Sequence, residues 1–166
     1  MSRSLFAQYC IDTCAILDLH GRKFPRDLYP DVWPSFEEAV SQGVVVSIRE
    51  VYRELKARDD DVAAWACAHR AVFEDPDGDQ TREIARIANA HPECLDLLKR
   101  KTVHADPWVI AAASAWGLVV VTSEGLDSPK KIPAICRAEG IPCIDLLDMF
   151  RGLDWRFATS LPDSTG

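Results

Sequence analysis

A chain of 166 residues with 48% hydrophobic content suits one domain with its own core and is ordinary for a globular protein. Its net charge of −7 argues against a protein that coats nucleic acid non-specifically, because neutralising phosphates needs Lys and Arg. No apolar run reaches the length that crosses a bilayer, and residues 1–6 lack the apolar core of a secretory signal, so a cytoplasmic location without a membrane partner is expected.

In chain order, the first strand is expected over residues 8–11, with Asp12 at its end and a short helix over 13–19. Residues 21–34 carry Pro25, Pro30 and Pro34 and read as loop. A helix over 34–41 begins on proline and stops before Gly43. Val44-Val45-Val46 is a continuous apolar run, as in a strand covered on both faces. Ser47, with Glu50 three residues later, reads as a capping box opening a helix over 48–58. The acidic run Asp59-Asp60-Asp61 suits the start of a helix over 62–73. Asp75-Pro76-Asp77-Gly78 is a turn, followed by helices over 81–89 and 93–101. Asp106 is expected to cap a helix over 108–116 that has Pro107 at its first position and stops at Gly117. A buried strand over 118–121, a helix over 132–139 closed by Gly140, a strand at 143–144 and a helix over 146–151 complete the domain. Residues 1–157 form the expected single domain, and 158–166 read as a disordered tail.

This alternation predicts an α/β fold, a three-layer αβα sandwich around a mostly parallel sheet of about four strands. Ligands of such sheets bind outside the carboxyl ends of the strands, where strand order reverses. Three acids fall at that edge. Asp12 ends the first strand, Glu124 follows the strand over 118–121, and Asp106 opens the helix returning to it. Glu54, about two turns into its helix, would reach in from the side. Alone, each has a structural reading as cap, turn residue or surface ion-pair partner. Together they form a carboxylate set suited to magnesium or manganese, which prefer oxygen ligands.

Glu50 is the rival to Glu54 but is occupied by the capping box. Asp18, Asp31, Asp145 and Asp148 lack a comparable context, whereas Asp127 closely follows Glu124 and is an accessory candidate. Thr13 and Thr122 are candidates for hydroxyl contacts to water or phosphate, or for turns and caps. Cys10, Cys14, Cys67, Cys94, Cys136 and Cys143 show no paired C-x-x-C spacing, which argues against zinc and disulfides. The clusters Arg22, Lys23 and Arg26, Lys99 to Lys101, and Lys130 with Lys131 read as solvated surface. No phosphate-binding glycine loop and no nucleophile elbow is present.

In these segments the chain resembles the PIN-domain (PilT N-terminus) family, and most closely a bacterial and archaeal PIN-like branch. The matching pieces are Tyr9-Cys10-Ile11-Asp12-Thr13-Cys14, Val51-x-x-Glu54-Leu55, Ala105-Asp106-Pro107-Trp108-Val109-Ile110-Ala111-Ala112-Ala113 and Val119-Val120-Val121-Thr122-Ser123-Glu124. The resemblance implies a magnesium- or manganese-dependent endoribonuclease directed at single strands. Asp12, Asp106 and Glu124 would hold the metal, and Glu54 would complete the site directly or through water. Many PIN proteins are toxins held inactive by an antitoxin that blocks the site. RNA is thus the expected substrate and an antitoxin-like protein an expected partner, with a homodimer left open. The chain departs from the family in two places: the fourth acid is Glu124 where aspartate is commoner, and residues 58–102 form a long insertion. Two other readings stand beside this one: a non-catalytic interaction module, and a metal-dependent hydrolase of a small phosphoester.

Overall fold

The computed structural model describes residues 5–102, 104–129 and 131–157. Five strands form one parallel sheet in the order β3-β2-β1-β4-β5: β1 (Tyr9–Ile11), β2 (Val45–Ile48), β3 (Phe73–Glu74), β4 (Val119–Val121) and β5 (Cys143–Ile144). All of β1 and β2 is buried, Ser47 of β2 included, as in strands covered on both faces. Register is set by Cys10 opposite Val46 on one side and Val120 on the other.

From β1 the chain steps outward to β2 and β3, then returns past β1 to β4 and β5. Right-handed crossovers therefore put the first connections on one face and the later ones on the other. The first layer holds α1 (Thr13–Leu17), α2 (Val32–Ser41), α3 (Arg49–Lys56) and α4 (Asp61–Ala68). Trp33 of α2 meets Trp65 of α4 with ring centroids 5.1 Å apart. The second layer holds α5 (Gly78–Ala90), α6 (Pro92–Leu98), α7 (Asp106–Trp116) and α8 (Ile132–Glu139). Its centre is α7, which touches β1, β2 and β4 beneath it and α5, α6 and α8 around it. Small residues on α7 (Ala111, Ala112 and Ala113, all buried) allow that close approach. Gly117, at φ 65, ends α7 in the left-handed conformation that glycine adopts without cost. The last helix, α9 (Leu146–Gly152), brings Phe150 against Phe24, with centroids 5.4 Å apart.

The α/β sandwich expected from the alternation is therefore the observed fold, with one more strand than expected. The helix expected over 62–73 ends at Ala68. A single turn of 3-10 helix (Arg70–Val72) then leads into β3, where Phe73 pairs with Ser47 and is buried. Two residues are too short a run for periodicity to register; sheet pairing and burial decide the conformation there. The expected capping box is absent. Ile48, not Ser47, is the N-cap of α3 and makes no side-chain cap bond. Ser47 lies inside β2 and donates to the Ile11 carbonyl at 2.7 Å. The helix after Asp12 does not run smoothly to residue 19: α1 passes into a wider turn over Asp18–Arg22, where Gly21 has φ 136. α5 starts three residues earlier than expected because Asp77 caps it, accepting from Gln80 N at 2.8 Å. Among the described residues no helix is long and apolar enough to cross a membrane. The expected tail over 158–166 lies outside the described residues.

Candidate active site

Strand order reverses between β1 and β4, and there the sheet's carboxyl edge opens between the two helical layers. Asp12 follows β1 directly, and Thr122 follows β4. Both are buried, Asp12 at 3% exposure and Thr122 at 0%. Asp12 Oδ1 accepts from Ala15 N at 2.7 Å, so Asp12 does cap α1. Its other oxygen, Oδ2, accepts from the Thr122 hydroxyl at 2.5 Å. The same hydroxyl oxygen accepts from Glu124 N at 3.1 Å. Thr122 thus ties the first acid to the last.

Asp106 does not cap its helix. The N-cap of α7 is Ala105, without a side-chain cap bond, and Asp106 and Pro107 are the first two helical residues. Proline tolerates this placement because the amide it lacks has no intrahelical partner there. The job of satisfying the helix start passes to Glu54: its Oε1 accepts from Ala105 N at 2.9 Å, and its Oε2 accepts from the Thr13 hydroxyl. Glu54 therefore reaches from α3 across to α7, which anchors the side approach expected for it. Glu124 reaches the start of α8. Its Oε2 accepts from Ile132 N at 3.1 Å, and its Oε1 lies 3.3 Å from the Lys131 ammonium.

Four carboxylates from four separate segments therefore share one edge, and their charges act on one another. Burial pushes the Asp12 carboxyl up to about 7, and the charges of Asp106 and Glu124 add to that rise against the Thr122 and Ala15 hydrogen bonds. Burial likewise pushes Asp106 up to about 6, helped by Glu124 and Glu54 and opposed by Lys131. A divalent cation would relieve this repulsion, and an all-carboxylate donor set suits magnesium or manganese. As the side chains stand, no group of three or more His, Cys, Asp or Glu residues is placed to hold an ion among the described residues. The reason is visible in the contacts above: Glu54 and Glu124 spend both oxygens on protein donors. For an ion to bind through these two residues, the Thr13 and Lys131 contacts must be exchanged for it. The donor chemistry fits a hard divalent ion on that condition.

Of the accessory candidates, Thr13 and Thr122 both orient carboxylates, whereas Asp127 lies exposed outside this hydrogen-bonded cluster. Glu50 is buried and pairs with Arg49 at 3.2 Å and Arg53 at 3.8 Å. Its partners are those arginines, not a capping box. Asp18, set aside on sequence, is fully buried and holds Lys23 at 2.7 Å as well as Arg22. Sequence reasoning missed Lys131 as a neighbour of the acids; its position just before the Ile132-Pro133 helix start, which Glu124 caps, was the available signal.

Two clefts meet at Glu124. One, of about 560 Å³, is lined by Lys23, Phe24, Tyr29, Leu126 and Leu147 together with Glu124. The other, of about 370 Å³, is lined by Leu97, Arg100, Asp106, Lys131 and Ile135 together with Glu124. A larger concavity of about 800 Å³ opens near Gly43, Val45 and His69. It adjoins the amino end of β2, away from the edge where ligands of such sheets bind.

The family described as "Domain of unknown function (DUF4411)" matches residues 9–157, and the chain belongs to it. That span runs from the first residue of β1 to beyond α9 and contains all four acids. No curated protein matches the chain.

Proposed function

We propose that this member of the DUF4411 family is a magnesium- or manganese-dependent endoribonuclease acting on single-stranded RNA. The observation that carries the reading is the delivery of Asp12, Glu54, Asp106 and Glu124 to the point where strand order reverses, with burial and mutual repulsion raising Asp12 and Asp106. The order of these acids along the chain is the one that carries the PIN resemblance, and the RNA substrate rests on that likeness.

Asp12, Asp106 and Glu124 would hold the ion, with Glu54 completing the site directly or through water. What a divalent ion supplies at such a position is a water of lowered pKa and neutralisation of phosphate charge. The chain's own residues do the rest. Thr122 fixes the Asp12 carboxylate, and Thr13 fixes Glu54. Lys131, exposed beside Glu124, offers an ammonium to a phosphate that approaches the acids.

The test is cleavage of end-labelled single-stranded RNA in manganese and in EDTA, by the parent chain and by Asp106→Asn. Metal-dependent cutting that is lost in the variant supports the reading. No cleavage in manganese, or in magnesium put in its place, across the neutral pH range removes it.

One observation favours a second reading, a non-catalytic interaction module. Glu54 and Glu124 already serve helix starts in full. In that case metal titration by calorimetry gives no binding heat, or binding without turnover.

A further inference from the structure

The two clefts that share Glu124 differ in character. In the first, Phe24 and Tyr29 stand edge to face with centroids 5.3 Å apart. Tyr29 is 42% exposed and Leu147 is 49% exposed, so an aromatic face and an apolar wall stand open to solvent. Lys23 lies at the same cleft. In the second, Arg100 and Lys131 line a smaller hollow with Leu97 and Ile135. The first draws its walls from the segment after α1, the loop after β4 and the start of α9, the second from α6 and the residues after it and from the starts of α7 and α8. They share Glu124 and are otherwise built from different segments.

Placement of charge is the second observation. The chain is acidic overall, at −7. Yet each of its three basic clusters contributes a residue to a cleft that touches Glu124: Lys23, Arg100 and Lys131. Asp18 holds Lys23 there at 2.7 Å and Glu124 holds Lys131 at 3.3 Å, yet both lysine side chains stay more than half exposed and face a polyanion lying across the edge.

We infer that a single nucleic-acid strand crosses the acidic edge through both clefts, with a base against Tyr29 and Phe24 on one side of Glu124 and backbone phosphate against Arg100 and Lys131 on the other. The inference rests on the RNA reading of the site and narrows it. The substrate is an extended single strand gripped on both sides of the reacting phosphate, not a small phosphoester. Cations combined with aromatic faces are the standard means of holding single strands without reading their sequence. A duplex would not present an unstacked base to Tyr29. Glu93 and Asp96 line the second cleft and Asp145 lines the first beside Lys23, so acids offset the cations in both, and stacking on Tyr29 supplies the larger part of the affinity.

Fluorescence anisotropy of the full chain with labelled oligouridylates of increasing length tests this. Calcium replaces magnesium, intact strand is checked on a gel, and duplex RNA serves as control. Affinity is expected to rise with length over the first few nucleotides and then level off, with the duplex binding more weakly. Tyr29→Ala should weaken binding roughly tenfold, as loss of one stacked base does. Arg100→Ala should weaken it less and lower the slope of log affinity against log salt by about 0.7, one phosphate contact on a single strand. Both side chains are on the exposed surface, and thermal melts of the two variants should match the parent. Parent affinity that is independent of length, or variants that both bind as the parent does, would overturn the inference; the second result would leave the apolar cleft to a protein partner instead. The expected binding pattern without any cleavage in manganese would refute the nuclease and leave the strand path standing. Cleavage with unchanged binding would do the reverse.

Discussion

The Thr122 hydroxyl donates to Asp12 Oδ2 at 2.5 Å, joining two residues 110 positions apart at the ends of neighbouring parallel strands. The bond lowers the Asp12 carboxyl against the effect of burial, and it holds the group at the reversal point of the sheet. Thr122→Val keeps the shape and removes the hydroxyl. It leaves Asp12 Oδ2 and Glu124 N without this partner in a buried place, which costs about 1–3 kcal/mol. Urea denaturation measures that loss, and manganese calorimetry should show weaker binding. Thr122→Ser should recover most of both. A valine variant with parent stability and parent metal affinity would show the bond to be incidental.

Metal should stabilise the fold. A ligand that binds only the native state adds roughly 2.7 kcal/mol at a hundredfold excess over its dissociation constant. Melting curves with magnesium, with manganese and with EDTA are the measurement. Midpoints that coincide at saturating metal would mean that the four acids do not act as one ligand set.

The pH dependence has a definite sign. The Asp12 carboxyl is raised from 3.8 to about 7, and the Asp106 carboxyl from 3.8 to about 6. Between about pH 4 and 7 the folded chain therefore binds more protons than the unfolded chain, and stability falls as pH rises. Above about pH 7 both states are ionised at these groups, and their contribution is flat. The melting temperature in EDTA should accordingly drop between about pH 5 and pH 7. Bound metal needs deprotonated carboxylates, so its stabilisation grows over the same interval and opposes the drop. A metal-free melting temperature that climbs through this window would mean that burial and mutual repulsion do not raise the two carboxyls in solution.

Much of this arrangement is legible in the residues. Continuous apolar runs marked β2 and β4, and glycines marked the ends of α7 and α8, because those signals are local. β3 was not legible: two residues carry no period, and only pairing with Ser47 and Ile48 makes them a strand. Asp12, Asp106 and Glu124 could be read from their places between elements. The roles of Glu54 and Glu124 as remote caps of α7 and α8 could not, since such caps join segments brought together only by the sheet. The capping box at Ser47 failed for the converse reason. A fitting local motif lost to strand pairing, which placed Ser47 inside β2.

Asp106 offers a test in which stability and activity move in opposite directions. Its carboxyl is raised by burial and by Glu124 and Glu54, so the ionised form is held against its preference. It makes no side-chain cap bond at α7. Asp106→Asn should therefore raise the metal-free melting temperature near neutral pH while abolishing RNA cleavage and the gain in stability from manganese. A variant that is less stable in EDTA would assign Asp106 a structural role. One that cuts RNA at the parent rate would remove it from the site.

Glu124 separates capping from chemistry through two substitutions. In Glu124→Gln the amide oxygen can still accept from Ile132 N, so the start of α8 stays satisfied. Only the Lys131 ion pair is lost, and with Lys131 side chain 59% exposed it is worth about 0–1 kcal/mol. Glu124→Ala also loses the cap, at a typical cost of about 1 kcal/mol. Denaturation should therefore rank the parent and Glu124→Gln close together and Glu124→Ala below them. Metal affinity and cleavage should rank differently, because both variants lack the carboxylate. Single-turnover cleavage against manganese concentration should be strongly reduced in Gln and Ala alike. Parent-like rates in Glu124→Gln would leave Glu124 as the cap of α8 and nothing more.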